Sequence, residues 1–365
     1  EAIKKDAQKL NGSEPVSTIV DLIDAPLNKI INGIFSSETD KPVRLFEDME
    51  DYIYEVLETP DKFSGHKTGF PAYDEAIGGG LRRGGVDVIA GRPKSGKSSA
   101  GLQIGLNLAN KNIPVLIVDT EMTVPGQKNR AIANQSMVDI NEFTSGEIKK
   151  KQEKLNKIIK AAQDKEGLPI YHINVSGKEF KSILAIISQW IRSVVGRDEN
   201  GKTNDCLIVY DYLKLTTSED MGKNTQEYQA LGFQMTSLYN SMIKYDCPCL
   251  AFVQLNRELD VSQSDRIVWL CTSFTKFLLK SPEEMAEDVE GGINPPYNRK
   301  LEVTQSRFGP GTEFGNYINV RMRGQFAKLD PGPTRNEVEE GELEIEVPDI
   351  LTAGNDTDAP FDDAG

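Results

Sequence analysis

The stretch GRPKSGKSS, residues 91–99, joins an apolar run, VDVIA (86–90), to a segment with the spacing of an amphipathic helix, AGLQIGLNLA (100–109). Glycine and proline occur in turns of every kind, so an ordinary Gly-rich turn is the simplest interpretation. The stretch also fits the pattern G-x-x-x-x-G-K-[ST] without a mismatch. In that pattern, backbone N–H groups surround a phosphate and the following helix adds its positive end.

We therefore predict a nucleotide-binding loop, in which Lys97 reaches the β- and γ-phosphates and Ser98 binds Mg²⁺. The expected cofactors are ATP and Mg²⁺. The residues predicted to cradle the phosphates are Gly91, Arg92, Pro93, Lys94, Ser95, Gly96, Lys97, Ser98 and Ser99.

The composition is that of a soluble globular protein, with 365 residues of which 38% are hydrophobic and 27% charged. No window approaches eighteen uninterrupted apolar residues, so we expect no membrane partner and a cytoplasmic protein. Three of the four cysteines lie in apolar, strand-like runs, which predicts buried thiols. Only two histidines are present, and Cys247 and Cys249 are too close for a CxxC pair, so a zinc site is not expected.

The net charge of −14 is concentrated at the end of the chain. Eleven acidic residues and no basic one follow Arg335. Taking these eleven from the 56 acidic residues leaves 45 against 42 basic ones, so the body of the chain is nearly neutral. A neutral body still leaves room for a local basic channel, and DNA is not excluded as a partner.

Short apolar runs alternate with longer helical stretches, which is typical of an α/β fold with a mostly parallel sheet. We predict four regions: a remnant of an N-terminal region (1–43), a linker helix (44–65), a nucleotide-binding α/β domain (66–330) and an acidic tail that we expect to be disordered (331–365). The predicted strands are VDVIA (86–90), VLIVD (115–119), PIYHINV (169–175), CLIVYD (206–211), CLAFVQ (249–254), RIVWLC (266–271) and LEVTQS (301–306).

The linker segment RLFEDMEDYIYEVLETP (44–60) has one apolar stripe at helical spacing, formed by Leu45, Met49, Tyr52, Ile53 and Val56. Such a helix either packs on its own domain or docks on a neighbouring subunit. The spacing does not choose between these two.

Polar residues follow three of the predicted strands. Asp211 suits a carboxylate near Mg²⁺, although an acid at a strand end is often only solvated. Glu121 could orient the attacking water or simply favour a helix N-terminus. Gln254 could sense the γ-phosphate or cap a loop. Ligands of open α/β sheets gather at these carboxyl ends, so we expect the three side chains near the phosphate loop.

Taken in order, these motifs resemble the RecA-like ATPase domain of DnaB-type replicative helicases, in particular a phage-type member. The resemblance spans residues 44–330 and is carried by several segments in the family's order. They are KTGFPAYDEAIGGGLRRGGVDVIAGRPKSGKS (67–98), VDTEMTVPGQKNR (118–130), LIVYDYLKL (207–215), VQLNR (253–257) and SRFGPGT (306–312).

The resemblance implies a hexameric ring that binds ATP between subunits and single-stranded DNA in its channel, with the linker helix docked on the next protomer. It implies that Glu121 is the catalytic base and that Gln254 couples the γ-phosphate to the DNA loops. Arg130 joins the nucleotide site, and Arg307 acts in trans as an arginine finger. Primase and a helicase loader are further expected partners.

Two features depart from the family pattern. Gln305 stands where a lysine usually precedes the finger, and NRELDVSQSDR (256–266) is much shorter than the usual channel loop. Lys214, Lys223 and Arg257 are the candidate DNA contacts because they follow the two strand ends expected to face the channel. Each could equally be a solvated surface charge.

Three functions follow from these motifs. The first is an ATP-driven helicase, the second a recombinase-like filament former on the same fold, and the third a nucleotide-gated adaptor without helicase activity. Glu121 and Asp211 favour turnover of ATP over the adaptor.

Overall fold

A central sheet of nine strands organises the computed structural model, which describes residues 44–199, 201–214, 227–256 and 265–340. The strands are β1 (Val86–Gly91), β2 (Val115–Asp119), β3 (Ile170–Asn174), β4 (Leu207–Asp211), β5 (Cys249–Gln254), β6 (Ser273–Leu279), β7 (Arg299–Ser306), β8 (Ile318–Arg323) and β9 (Lys328–Thr334). Their order across the sheet is β3-β2-β4-β5-β1-β6-β7-β8-β9. The first six strands in this order are parallel, and β7, β8 and β9 are added antiparallel. The predicted α/β fold with a mostly parallel sheet is confirmed.

The helices lie before, between and after these strands. They are α1 (Met49–Glu58), α2 (Pro60–Ser64), α3 (Pro71–Ala76), α4 (Lys97–Ala109), α5 (Val124–Ser136), α6 (Ile140–Thr144), α7 (Gln152–Asp164), α8 (Phe180–Trp190), α9 (Glu227–Tyr245), α10 (Asp265–Leu270), α11 (Pro282–Glu290) and α12 (Arg335–Glu340). Short 3₁₀ turns cover Glu147–Lys150 and Gly324–Phe326, and a π turn, Ile191–Val195, extends α8. No helix of the described ranges combines the length and apolar character needed to cross a bilayer.

Both faces of the sheet are covered, which explains why its central strands read as continuous apolar runs. Every residue of β1, β2 and β4 is buried. Alternate residues of β1 point to opposite faces: Val88 packs in the core under α8 and α9, and Ile89 packs in the core under α3 and α4. Met235 and Met242 fill the first core, and all four cysteines are buried, as the sequence predicts.

The predicted linker helix forms as α1 followed by α2, but no side chain of α1 is buried. Most of its apolar residues face solvent, with Tyr52 and Ile53 about half exposed and Leu57 70% exposed. Met49 and Val56 are partly buried. The contact that anchors it is local: the rings of Tyr52 and Phe63 meet edge to face at 5.5 Å. Of the two interpretations of this helix, packing on its own domain is therefore not what the structure shows.

Two sequence predictions are wrong. RIVWLC (266–271) is not a strand: most of it lies in α10, where Ile267 is buried and Trp269 is 72% exposed. A short apolar run does not distinguish helix from strand, and the real strand, β6, begins just after it. The second error is the start of the tail, because β9 and α12 continue the ordered fold from Pro331 to residue 340. The interpretations of residues 1–43 and 341–365 lie outside the described residues.

Candidate active site

Four strand ends meet at one edge of the sheet, in the order β2, β4, β5 and β1. Asp119 pairs with Asp211 across β2 and β4, and Gln254 pairs with Gly91 across β5 and β1. Because parallel strands end at the same edge, these residues lie beside the loop that follows Gly91. The sequence-predicted groups are brought together as expected.

The loop after β1 has the backbone of a phosphate cradle. Gly96 has a φ of 111° and immediately precedes α4, so the free N–H groups of that helix point into the loop. Lys94 at the tip has a φ of 63°, a left-handed conformation that side chains other than glycine seldom adopt. Oriented N–H groups and the positive end of a helix are features suited to binding an anion.

Lys97 is folded into the loop. Its Nζ donates to the backbone carbonyls of Gly91 at 2.8 Å and Arg92 at 3.0 Å. Burial lowers the pKa of this lysine, while the carboxylates of Asp211 and Glu121 act in the opposite direction. The Lys97 ammonium thus lies inside the loop, where the phosphates of a nucleotide would bind.

Asp211 is buried at the end of β4, close to the Ser98 side chain. Burial raises its pKa to about 6; the nearby Asp119 carboxylate raises it too, whereas Ser98, Lys97 and Arg130 lower it. Its Oδ1 is buried and has no hydrogen-bond partner among the residues that the structure describes. A hydroxyl beside a carboxylate oxygen that lacks a partner suits Mg²⁺, which prefers a few protein oxygens and completes its shell with water and phosphate. Ser98 and Asp211 are thus the two residues here that could hold Mg²⁺, with the phosphates of a nucleotide as further ligands. No cluster of three His, Cys, Asp or Glu side chains is found within the described ranges.

The turn after β2 is fixed by Asp119. Its Oδ1 accepts from the backbone N–H groups of Glu121 at 2.8 Å and Met122 at 2.6 Å, and its Oδ2 lies 3.4 Å from His172 Nε2. Asp119 is 2% exposed, so these bonds are shielded from water. The carboxylate thereby sets the direction in which Glu121 leaves the sheet.

Glu121 extends into solvent, with 62% of its side chain exposed. Its Oε1 accepts from the Tyr212 hydroxyl and from Lys214 Nζ, both at 3.1 Å. Lys214 also lies 5.0 Å from the centre of the Tyr212 ring. Two donors from the end of β4 thus hold the carboxylate that the sequence marks as a candidate base.

The remaining predicted residues on this edge differ in their surroundings. Gln254 is exposed at the end of β5. Burial lowers the pKa of Arg130 on α5, while Asp211 and Asp119 raise it, so its guanidinium shares the electrostatic environment of the site. Lys223 and Arg257, predicted to contact DNA, lie outside the described residues.

Arg307 lies at the opposite edge of the sheet. β7 runs antiparallel to β6, and Ser306 at the end of β7 pairs with Ser273 at the start of β6. Ser273 pairs in turn with Asp87 at the start of β1. The exposed Arg307 side chain donates from Nη2 to the Trp269 carbonyl at 2.8 Å. From its first residue, Val86, to its last, Gly91, β1 rises by five residues, or ~16 Å. Arg307 lies at the level of the first residue and the phosphate loop follows the last, so the loop is beyond the reach of the Arg307 side chain.

Sequence reasoning did not single out Tyr212 as a partner of Glu121, although it stands next to Asp211. It also missed the role of Asp119 in orienting the turn. A third missed residue, Arg299, contacts the loop through Ser95 and is about 200 positions distant in the chain. Only the pairing of β6 with β7 brings it there.

The match to a family model decides the relationship. Residues 65–268 match the model described as "DnaB-like helicase C terminal domain", which is more than half of the chain. The chain belongs to this family. The resemblance inferred from the motifs is thereby confirmed.

Curated relatives agree with this assignment. The replicative DNA helicase DnaB of Synechocystis sp. is 29% identical over 219 residues, covering 59% of this chain and 23% of that protein. A probable replicative DNA helicase of Trieres chinensis is 28% identical over 200 residues, covering 54% of this chain and 41% of that protein. The chain thus spans between about a quarter and less than half of the length of these two relatives.

Two solved structures share the fold. One is an ATPase domain with a TM-score of 0.65 and 16% identity, covering 80% of this chain and 99% of that one. The other, described as a DnaB-like replicative helicase and its interactions with primase, has a TM-score of 0.63 and 16% identity, covering 90% of this chain and 76% of that one. The fold of this family member is RecA-like.

Proposed function

We propose that the chain is the motor domain of an ATP-dependent replicative DNA helicase that encircles single-stranded DNA as a hexamer. One observation carries the proposal. The phosphate loop, Asp211, Glu121 and Gln254 converge on one edge of the sheet, and Arg307 stands exposed at the other edge. A complete hydrolytic site then needs two copies of the chain.

The chemistry follows from the groups at the first edge. Lys97 leaves the carbonyls of Gly91 and Arg92 to neutralise the β- and γ-phosphates, and the loop N–H groups bind the phosphate oxygens. Mg²⁺, held through Ser98 and Asp211, would draw charge from the phosphates as the terminal bond breaks. Each of these groups stabilises charge that grows in the transition state.

Glu121 takes the proton of the attacking water in this proposal. Asp119 directs the turn that carries it, and hydrogen bonds from the Tyr212 hydroxyl and the Lys214 ammonium hold its carboxylate in place. A general base must be within hydrogen-bond reach of its proton, and an exposed side chain on a fixed turn satisfies this once the nucleotide is bound.

The second edge supplies the finger to the neighbouring copy. Arg307 is exposed, fixed by the Trp269 carbonyl, and beyond reach of its own phosphate loop, so its target lies in another subunit. The exposed apolar residues of α1 support the same assembly, because a helix with no buried side chain of its own gains stability by docking on a partner. Successive hydrolysis around the ring would change the position of the residues after β4 and β5, including Lys214 and Arg257, and so move the DNA.

The test is hydrolysis of ATP with and without single-stranded DNA, followed by unwinding of a forked duplex. Wild-type protein should hydrolyse ATP faster when DNA is added, and Lys97→Ala and Glu121→Gln should abolish both activities. Lys111→Ala is the matched control and should behave as wild type, because Lys111 is an exposed lysine in the turn just after the C-terminal end of α4. DNA-independent hydrolysis without unwinding would refute the helicase.

Electron microscopy of the ATP-bound protein separates the alternatives on the same fold. Closed six-fold rings support the helicase, and helical filaments would favour a recombinase-like protein. Rings that bind ATP without turning it over would indicate the nucleotide-gated adaptor. A loader and a primase remain proposed partners, to be sought with the assembled ring.

A further inference from the structure

Arg299 lies at the phosphate loop from the side of the antiparallel strands. It is the first residue of β7 and pairs with Leu279 at the end of β6, so it reaches the same edge of the sheet as the loop. Alternation along β7 puts it on the face of Leu301 and Val303, which pack in the core beneath α4. Its Nε donates to the carbonyl oxygen of Ser95, in the centre of the loop, at 2.8 Å.

The guanidinium of Arg299 has no carboxylate within ion-pair distance among the described residues. Its second hydrogen bond is donated from Nη1 to the backbone carbonyl of Asn298 at 2.8 Å. Burial lowers its pKa, and no neighbouring acid opposes that effect. A half-buried cation is costly unless an anion compensates it, and the anion this loop is built to receive is a phosphate.

The Ser95–Gly96 peptide group connects the Arg299 guanidinium to the phosphate loop. The carbonyl of Ser95 and the N–H of Gly96 belong to the same planar trans unit and point in opposite directions. With Arg299 bound to the carbonyl on the outer side, the Gly96 N–H is directed to the inner side, where the phosphates bind. A charged donor on the carbonyl also polarises the peptide and strengthens the N–H as a donor.

Two neighbours keep this arrangement rigid. Asn298 clamps Met322 of β8 through both polar atoms: its Nδ2 donates to the Met322 carbonyl at 2.9 Å, and its Oδ1 accepts from the Met322 N–H at 2.8 Å. The Met322 sulfur packs against Gly96, so that a Cβ atom at position 96 would overlap that sulfur. Met322 and Arg299 therefore contact two consecutive residues of the loop, Gly96 and Ser95.

We propose that Arg299 is a positioning residue for the nucleotide, acting through the Ser95–Gly96 peptide to orient and strengthen an N–H donor to the phosphates in the same subunit. The inference rests on the proposed nucleotide binding. It goes beyond it by assigning a cation in cis that the phosphate-loop motif does not contain.

Isothermal titration of the full chain in Mg²⁺ tests the proposal, with ATP and with inorganic tripolyphosphate as ligands. Arg299→Gln keeps a polar side chain and removes the charge, whereas Arg299→Lys keeps the charge. Arg299→Gln should weaken both ligands by about tenfold, and Arg299→Lys should restore most of that loss. Apo melting temperatures of all variants are measured alongside, since a merely structural arginine would lower them without changing the ligands' affinities.

Lys300→Gln is the matched control. Lys300 is the next residue of β7, points to the other face and is paired with Glu284 at 2.7 Å and Glu302 at 3.1 Å. It should bind both ligands as wild type does.

Equal affinities of Arg299→Gln and wild type for both ligands would overturn the proposal. A loss of affinity for ATP without a loss for tripolyphosphate would also overturn it, because Arg299 would then act on the base or sugar and not on the phosphates. A wild-type chain that binds neither ligand would instead refute the proposed nucleotide binding itself.

Discussion

Mixing two inactive variants tests whether each nucleotide is completed by a second subunit. Lys97→Ala removes the phosphate-loop cation and leaves Arg307 intact, whereas Arg307→Ala does the reverse. The two groups stand at opposite edges of one sheet, ~16 Å apart along β1. Neither variant can repair its own site, but each carries the half that the other lacks.

The magnitude follows from the geometry of a head-to-tail assembly. Each variant alone should lose a factor of about 10³ or more in kcat, the range of an arginine finger in related nucleotide hydrolases. In rings formed randomly from equal amounts of both, a productive site needs Lys97 from one parent and Arg307 from the other. About one quarter of the interfaces satisfy both conditions, so up to about a quarter of wild-type turnover should return.

The assay is steady-state hydrolysis of ATP by rings co-expressed with two affinity tags and purified through both. Each variant purified alone with either tag is the control for residual activity, and native mass spectrometry confirms that rings are mixed. Doubly tagged rings no more active than the parents would refute transfer of Arg307 between subunits. Wild-type turnover by Arg307→Ala alone would refute the finger.

Three further predictions follow from the structure. Burial raises the pKa of Asp87 from 3.8 to about 7, so the folded chain keeps a proton that the unfolded chain releases. Asp87 should therefore lower the free energy of unfolding by about 1.4 kcal/mol per pH unit from pH ~5 to ~7, with no further effect above. Asp87→Asn should reduce the measured slope by that amount in chemical denaturation and leave the contribution of Asp211 below pH ~6; an unchanged slope would contradict the assignment. Lys214→Ala should lower DNA-free turnover by no more than about fivefold, because the ion pair that helps to hold the exposed Glu121 contributes ~0.2–1 kcal/mol; a fall to the level of Glu121→Gln would show that Lys214 is required. Leu57→Asp should dissociate rings in mass photometry without lowering the melting temperature of the monomer, since this side chain is 70% exposed; intact rings would exclude α1 from the interface.

The sequence predicts the parts of the fold and site that depend on neighbouring residues. The phosphate loop has a local pattern, and the fully buried strands have continuous apolar runs that place Asp119, Asp211 and Gln254 at strand ends. The carboxyl ends of parallel strands lie at the same end of the sheet, so the sequence alone predicts that these residues meet.

What the sequence does not predict depends on pairing between distant segments. The run RIVWLC (266–271) is too short for its period to separate helix from strand, so the strand that follows it was missed. Pro331 and the charges after it suggest a tail, yet β9 continues through this proline as the edge strand of the sheet. Arg299 has no motif, since only the antiparallel return of β7 carries it back to Ser95.

If Arg307 completes the site of a neighbouring copy, as proposed, its separation from the phosphate loop gives each chain one end that supplies a guanidinium and one end that receives it. In an open head-to-tail chain of subunits, the nucleotide of one terminal subunit always lacks a guanidinium, however many subunits are present. Closure of the chain into a ring completes that last site, and opening the ring at any one interface leaves a site incomplete again. An opening that admits a DNA strand would therefore silence one site, and the count of active sites would report whether the ring is shut.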